Sequence, residues 1–426
     1  MNAISDAAPG AEHDPDIMTS VQEKLTDAIL ATIRSRRADR ESNLPVTQLG
    51  TARAPAKVSL RTAEASDFAS VARLGRRLGQ GTDSVENWKR LWIDNPAVQS
   101  GLAVSRIGWV LESGGTVVGF FGSIPLLCEF QGSTLVAAAS CRFAVDPEFR
   151  SFSHLLVSSF LRQKDVDLLL NTTATPAAGR MMTASKAAPL PQADYDKVLF
   201  WVLDSRRFME SVFRKLDVRP SLVAAGSLAG AIALGTEMRL RGRTPEAAKS
   251  SYTVSEHCID DLPAELDGFC EEQMQNTKRL LGRRDATILR WHFAPPGSRK
   301  VSRILICRCR ERIAGYAITR QELNSESGLR RSTVADLLTA EDSPEVVQAL
   351  IVGAYTSAKR AGSHVLEVMG FPRGIRRLLV QWKPYVREYP SNPYFFKARD
   401  RALHQTLLNP DLWYACPFDG DSTLWP

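Results

Sequence analysis

The stretch LVAAASCRFAVDPEFRSFSHLLVSSF, Leu135 to Phe160, decides how the chain is read. Small and β-branched residues run from Leu135 to Val145 and stop at Asp146-Pro147, as a buried strand does at a turn. After Arg150 the spacing of SFSHLLVSSFLRQ predicts a helix, so the turn Arg150 to Ser153 is expected at a helix N-terminus. Unpaired backbone N–H groups and the helix dipole make such a turn a ready seat for phosphate. The same residues also read as a plain strand-turn-helix connection with Ser151 or Ser153 as N-cap.

Outward from this stretch the pattern stays regular. Upstream, VSLRTAEASDFASVARLGRRL predicts a short strand, a polar turn at Asp67 and an amphipathic helix. In WKRLWIDNP, Trp88 and Trp92 stand one helical turn apart, an aromatic pair expected in the core. Ile107 to Glu112 and Thr116 to Ile124 flank Ser113-Gly114-Gly115 as a hairpin. Downstream come an apolar strand, Val166 to Asn171, a further strand, Lys197 to Leu203, and a helix, RRFMESVFRKLDV, that ends before Pro220.

The order strand, helices, three antiparallel strands, turn, helix, strand resembles the GNAT superfamily of acyl-CoA-dependent N-acyltransferases. The resemblance rests on LRTAEASDF, LWIDNP, GWVLESGGTVVGFFG and AVDPEFR, and covers roughly Lys57 to Phe208. It implies an acyl-CoA cosubstrate, acetyl-CoA or another, held by the end of the central strand (Phe143, Ala144, Val145), by the turn Arg150, Ser151, Phe152, Ser153, His154 and by Asn171. Several family features are absent. Ser153 and Leu155 occupy the glycine positions of the pyrophosphate loop, where a missing Cβ lets backbone approach phosphate. Asn171-Thr172-Thr173-Ala174 matches the family's Asn-x-x-Ala, but Ala178 stands where a general-acid tyrosine is usual, leaving Tyr195 as the nearest candidate. Ala139 replaces a glutamate that would serve as base.

After Ser250 the order returns. YTVSEHCIDDLPAEL echoes VSLRTAEASDFASVA, LRWHFAPPG echoes RLWIDNPA, ILICRCRERIAGYAI echoes WVLESGGTVVGFF, and HVLEV echoes DLLLN. The expected fold is therefore α/β (α+β), with two tandem GNAT-like domains, each a mixed, mostly antiparallel sheet flanked by helices. The divisions are 1–56, a tail with an amphipathic helix; 57–208, the first copy; 209–250, a linker with an apolar helix; 251–400, the second copy; and 401–426, an aromatic tail. In the second copy Glu341, Asp342 and Glu345 stand where the first has Arg150 and serines. Carboxylates there satisfy the helix dipole themselves and repel phosphate, so no cofactor is expected in that copy.

Ser221 to Gly235 is the most apolar run, 15 residues against the roughly 20 that cross a bilayer. It is read as a helix buried between the domains, with contact at a membrane surface and a spanning segment as alternatives. Asp419-Gly420-Asp421 reads as a turn packed under Trp413 and Trp425, since the remaining ligands of a calcium loop are missing. The seven scattered cysteines form no metal set and fit a cytoplasmic protein with reduced thiols. A net charge of +7 on 426 residues gives no nucleic-acid footprint. The expected activity is acyl transfer from CoA to a small-molecule amine. The aromatic ending with Asp-Gly-Asp resembles tandem GNAT-like proteins encoded with bacterial surface-polysaccharide enzymes, which points to an amino sugar as acceptor. A second reading, of another class, is a non-catalytic binding or scaffold protein that keeps the fold.

Overall fold

A computed structural model describes residues 57–426 except 82, 219, 247–250, 389–392 and 426, and the side chains of 220–222 and 225. The helix expected before residue 57 lies outside the described residues. The first half forms strands β1 (Val58–Thr62), β2 (Gly108–Ser113), β3 (Thr116–Phe130), β4 (Ser133–Val145), β5 (Leu168–Asn171), β6 (Ala188–Pro189) and β7 (Lys197–Val202). Its helices are α1 (Phe68–Arg77), α2 (Val85–Trp92), α3 (Pro96–Gln99), α4 (Ser153–Leu161), α5 (Pro176–Ala184), α6 (Ser205–Lys215) and α7 (Pro220–Arg241). The second half forms β8 (Tyr252–Cys258), β9 (Leu281–Gly282), β10 (Val301–Cys309), β11 (Arg312–Leu323), β12 (Arg330–Thr339), β13 (Val365–Val368), β14 (Tyr385–Glu388) and β15 (Phe395–Ala398). Helices α8 (Leu266–Asn276), α9 (Ala286–Phe293), α10 (Pro344–Arg360), α11 (Arg373–Val380) and α12 (Arg401–Thr406) complete it.

Two sheets result, and they have the same plan. The first runs β1-β2-β3-β4-β5-β15-β6, with β9 beside β3; the second, read from its far edge, runs β8-β10-β11-β12-β13-β7-β14. In each, a strand from the other half fills the sixth place. β7 lies between β13 and β14, with Leu199 opposite Val368 and Val386, while β15 lies between β5 and β6, with Phe395 opposite Asn171 and Pro189. A division of the chain at 208 and 251 therefore puts each exchanged strand with the sheet it does not join.

Alternation along the strands sorts the two faces of the first sheet. Ala138 and Leu169 meet Leu156, Val157 and Phe160 of α4 and Met182 of α5. Ala137, Leu168 and Leu170 point the other way, toward Tyr394, Phe396 and Trp413. On that second face α1 and α2 pack Leu74, Trp88, Leu91 and Trp92 against Phe120 and Ile124. The tryptophans of α2 meet in the core as expected, with ring centroids 4.4 Å apart and planes tilted by 55°.

The apolar run forms α7, and it is not buried between the halves. Gly226 and Gly230 let α7 close on Phe213 and Met209 of α6, where a Cβ on Gly230 would lie 2.7 Å from the Met209 side chain. The opposite side faces water, leaving Leu228 54%, Ile232 63% and Leu240 83% exposed. Among the described residues, no helix is long and apolar enough to cross a membrane.

Candidate active site

Strands β4 and β5 run parallel and pair only from Ala137 with Leu168 to Ala139 with Leu170. Beyond Ala139 they part, and a notch opens between Ser140–Val145 and the residues after Asn171. β4 stays attached to β3 on its other side, with a bulge opposite Phe120 and Gly122 where Arg142 takes φ 47°. Such bulges bend a strand away from its neighbour. Of the residues that sequence reading assigned to a site in the first half, those of β4, those of the turn after it and Asn171 flank this notch, and Tyr195 does not.

On the α4 face, the chain after β4 does not turn loosely into the helix. Pro147–Phe152 is a 3-10 helix that runs directly into α4, with the Ser153 N–H on the Arg150 carbonyl. The helical segment thus starts just after Asp146, whose carboxylate is held by Arg77 at 2.6 Å. Pro147 has no N–H, and the Phe149 N–H donates to the Asp146 carbonyl at 2.9 Å, so Arg150 to Ser153 are not the N-terminus of that segment. Arg150, Ser151 and His154 are exposed along this segment, Phe152 is half-buried and Ser153 buried. The His154 ring nitrogen Nδ1 bonds the Ser151 carbonyl at 2.8 Å. At the end of β4, Phe143 stacks edge-on to Phe121, and its carbonyl accepts from Gln80 at 3.2 Å; Ala144 and Val145 are buried. Asn171 ends β5, buried against β15.

On the opposite face the notch receives the C-terminal segment. Asp421 is buried, and its Oδ1 accepts from the hydroxyls of Thr172 and Thr173, each at 3.0 Å. The Trp425 indole donates to Oδ2 at 3.4 Å, and the Arg142 guanidinium lies over the Trp425 ring at 4.2 Å. Gly420 is required here: it sits at φ 104°, and a Cβ would come within 2.4 Å of the Thr172 side chain. Burial raises the Asp421 carboxyl above the usual carboxylate range, against the pull of Trp425, Thr172 and Thr173. Burial likewise pushes the Cys141 thiol of β4 well up, and Asp421 adds to it. Arg90 and Arg320 hold the segment by its backbone, on the Leu424 carbonyl and on those of Thr423 and Trp425.

The structure brings Phe143, Ala144, Val145 and the Arg150–His154 segment to one end of β4, with Asn171 across the notch. It does not bring Tyr195 to that segment. Tyr195 lies on the other face, edge-on to Tyr394 at 5.3 Å and against Gly370. Burial raises its phenol well above the usual range, with Asp419, Cys416 and Asp421 adding to the effect. Sequence reading takes Asp421 as part of a turn packed under Trp413 and Trp425 and gives it no chemical role; Asp419 and Asp421, two carboxylates among aromatic residues, were the available signal.

The second half has the same parting, and it is filled. β12 pairs with β13 only as far as Val334 with Val368. Beyond that point Phe418 N–H donates to the Ala335 carbonyl at 2.9 Å, Phe371 N–H to that of Ala415 at 2.7 Å, and the Tyr414 hydroxyl to that of Leu337. The C-terminal segment occupies this cleft with backbone bonds. Asp342, expected to repel phosphate there, is bound to Arg279 at 2.7 Å. Among the described residues, no group of three or more acidic, His or Cys side chains is placed to hold a metal ion.

No protein-family model and no curated protein matches this sequence. Solved structures do match. A GCN5-related N-acetyltransferase from Anabaena variabilis aligns with a TM-score of 0.52 at 12% identity, over 81% of this chain and 73% of that one. A conserved protein from Enterococcus faecalis, described as a probable N-acyltransferase, aligns at 0.50 and 9% identity over 80% and 72%. Coverage of that extent takes in both halves: the chain has the fold of these structures, and its two sheets fit a tandem arrangement.

Proposed function

We propose that the first half binds an acyl-CoA, acetyl-CoA in the simplest case, and transfers its acyl group to a small-molecule amine. The observation that carries this reading is the notch beyond Ala139, with Arg150 and Ser151 exposed on the α4 side and the buried carboxylate of Asp421 on the other. Arg150 and Ser151 would meet the phosphates of CoA, and the thioester would lie between β4 and β5. The acceptor amine, reaching the opposite face, attacks the carbonyl carbon. The C–N bond forms as the C–S bond breaks, Asp421 takes the amine proton, and CoA leaves as a thiolate that water protonates. A carboxyl raised by burial is a stronger base than an exposed one, which suits this role. An amino sugar is the first acceptor to test.

Calorimetry with acetyl-CoA should detect binding, and Arg150→Glu should weaken it by about tenfold or more, the scale of one hydrogen bond to a charged group. Absence of binding at millimolar acetyl-CoA would overturn the reading. Asp421→Asn should leave that affinity within about twofold and slow transfer by roughly 10²–10⁴, the usual range for a general base. The rate should rise with pH through a transition above the usual carboxylate range, and the Asn variant should lose that limb.

One observation favours the second reading, a GNAT-fold binding or scaffold protein. Both Asp421 oxygens already accept hydrogen bonds, as in a carboxylate whose task is to anchor the tail. On that reading acetyl-CoA binds, or fails to bind, with no CoA thiol released against any amine, and Asp421→Asn lowers the melting temperature instead.

A further inference from the structure

Helix α7 carries no charged residue from Pro220 to Thr236, and a helix apolar over that length belongs in a core or against lipid. Its inner side is accounted for by α6, and by Glu237, which turns inward to Tyr385 and Arg243. Among the described residues, none packs over its outer side. Ala224, Leu228, Ile232, Thr236 and Leu240 follow one another at four-residue steps and are all exposed, forming a stripe about 24 Å long at 1.5 Å per residue. No acidic side chain interrupts it. Exposed cations gather at its C-terminal end: Arg239 on the stripe itself, Arg241 just beyond, and Lys383, whose carbonyl accepts from Arg243.

We propose that this face of α7 lies on an anionic lipid surface, with Leu228 and Ile232 entering the headgroup boundary and Arg239 meeting lipid phosphates. Charge selects this occupant over a second copy of the chain. Paired antiparallel, two such faces would set each Arg239 against the other's uncharged stripe; paired parallel, they would set arginine against arginine. Arg241 already pairs with Glu237 at 3.2 Å; for Arg239 neither arrangement supplies a carboxylate, whereas anionic headgroups supply a counter-charge. The helix is too short in its apolar part to span, so it lies on the surface and would hold the first half beside it.

The test uses the full chain and flotation with phosphatidylcholine vesicles, with and without phosphatidylglycerol. Binding should require phosphatidylglycerol and fall with added salt. Leu228→Glu with Ile232→Glu should weaken it by about tenfold or more, since apolar contact and attraction to headgroups are both lost. Both positions are exposed, so an unchanged melting curve checks that the variant folds; Arg239→Glu, a second variant, should weaken binding and blunt its salt dependence. Three results would overturn the proposal. They are wild-type protein that ignores anionic vesicles or binds pure phosphatidylcholine equally well, variants that float like wild type, and a concentration-dependent dimer that Ile232→Glu dissolves.

Discussion

A chain ending at Ser250 is expected to be insoluble, or soluble without a cooperative unfolding transition. It would hold β1 to β7, the whole of what a sequence division assigns to the first copy, yet its sheet would lack β15. That strand buries Phe395 against the α5 side and Phe396 against Trp413 on the other. Each such side chain contributes roughly 1.5–3 kcal/mol on burial, and a marginally stable domain does not survive the loss of several. The damage has a second part. β7 would be left without β13 and β14, exposing Val198, Leu199, Trp201 and Val202, which are now almost wholly buried. An unpaired apolar strand of that kind is a template for aggregation. Coexpression with residues 251–426 should rescue solubility, because that fragment supplies β15 and receives β7. A truncated chain that is monodisperse and unfolds cooperatively would show that the exchange contributes little to stability.

The exchange was not legible in the sequence, and the reason is physical. KVLFWVL announces a buried strand by its composition, but periodicity fixes only which residues share a face, not which sheet the strand joins. Successive strands usually neighbour one another, so the default reading keeps β7 at home. Features carried by local pattern were legible: the strand Leu135 to Val145, the hairpin around Gly114-Gly115, the aromatic pair of α2, and the repeat after Ser250. Features set by burial were not. An apolar run was taken to be buried, yet α7 keeps a wet face, since apolar residues are no guarantee of an interior position. The Asp-Gly-Asp turn is packed beside Trp425 as its aromatic neighbours suggest, but local pattern does not show that the tail runs between the halves, with Asp421 in one notch and Phe418 in the other. The expectation that the second copy holds no cofactor rests on carboxylates near Pro344, while in the structure the tail itself lies in that cleft.

Replacing Arg284 should be the most damaging single substitution in the second half, because Arg284 secures that filling. Its side chain and that of Asp336 are both fully buried, joined by Nε to both carboxylate oxygens at 3.1 and 3.0 Å and by Nη2 to one of them at 3.0 Å. Tyr316 donates to the same carboxylate at 2.7 Å, the Phe418 ring lies 4.4 Å from the guanidinium, and Asp419 stands at 3.9 Å. Burial works against the Arg284 charge, but Asp336 and Asp419 outweigh it and hold the guanidinium above its usual range. Arg284→Met leaves two carboxylates without their cation and should cost about 3–5 kcal/mol. Arg284→Met with Asp336→Leu should recover much of that, since a buried pair replaced by apolar groups of similar volume is near neutral. The loss should also depend on pH. Burial already pushes Asp419 up to about 6, with Arg284 pulling it back, so the variant's folded-state value lies higher still. A carboxyl raised on folding contributes stability that is present below its unfolded value and lost as pH rises through the folded one. The deficit against wild type should therefore be smaller at about pH 5 than at about pH 8 in urea titrations. A loss under about 1 kcal/mol, or one that does not change with pH, would mean that the tail is held by its backbone bonds to Ala335 and Phe371 and not by this buried charge.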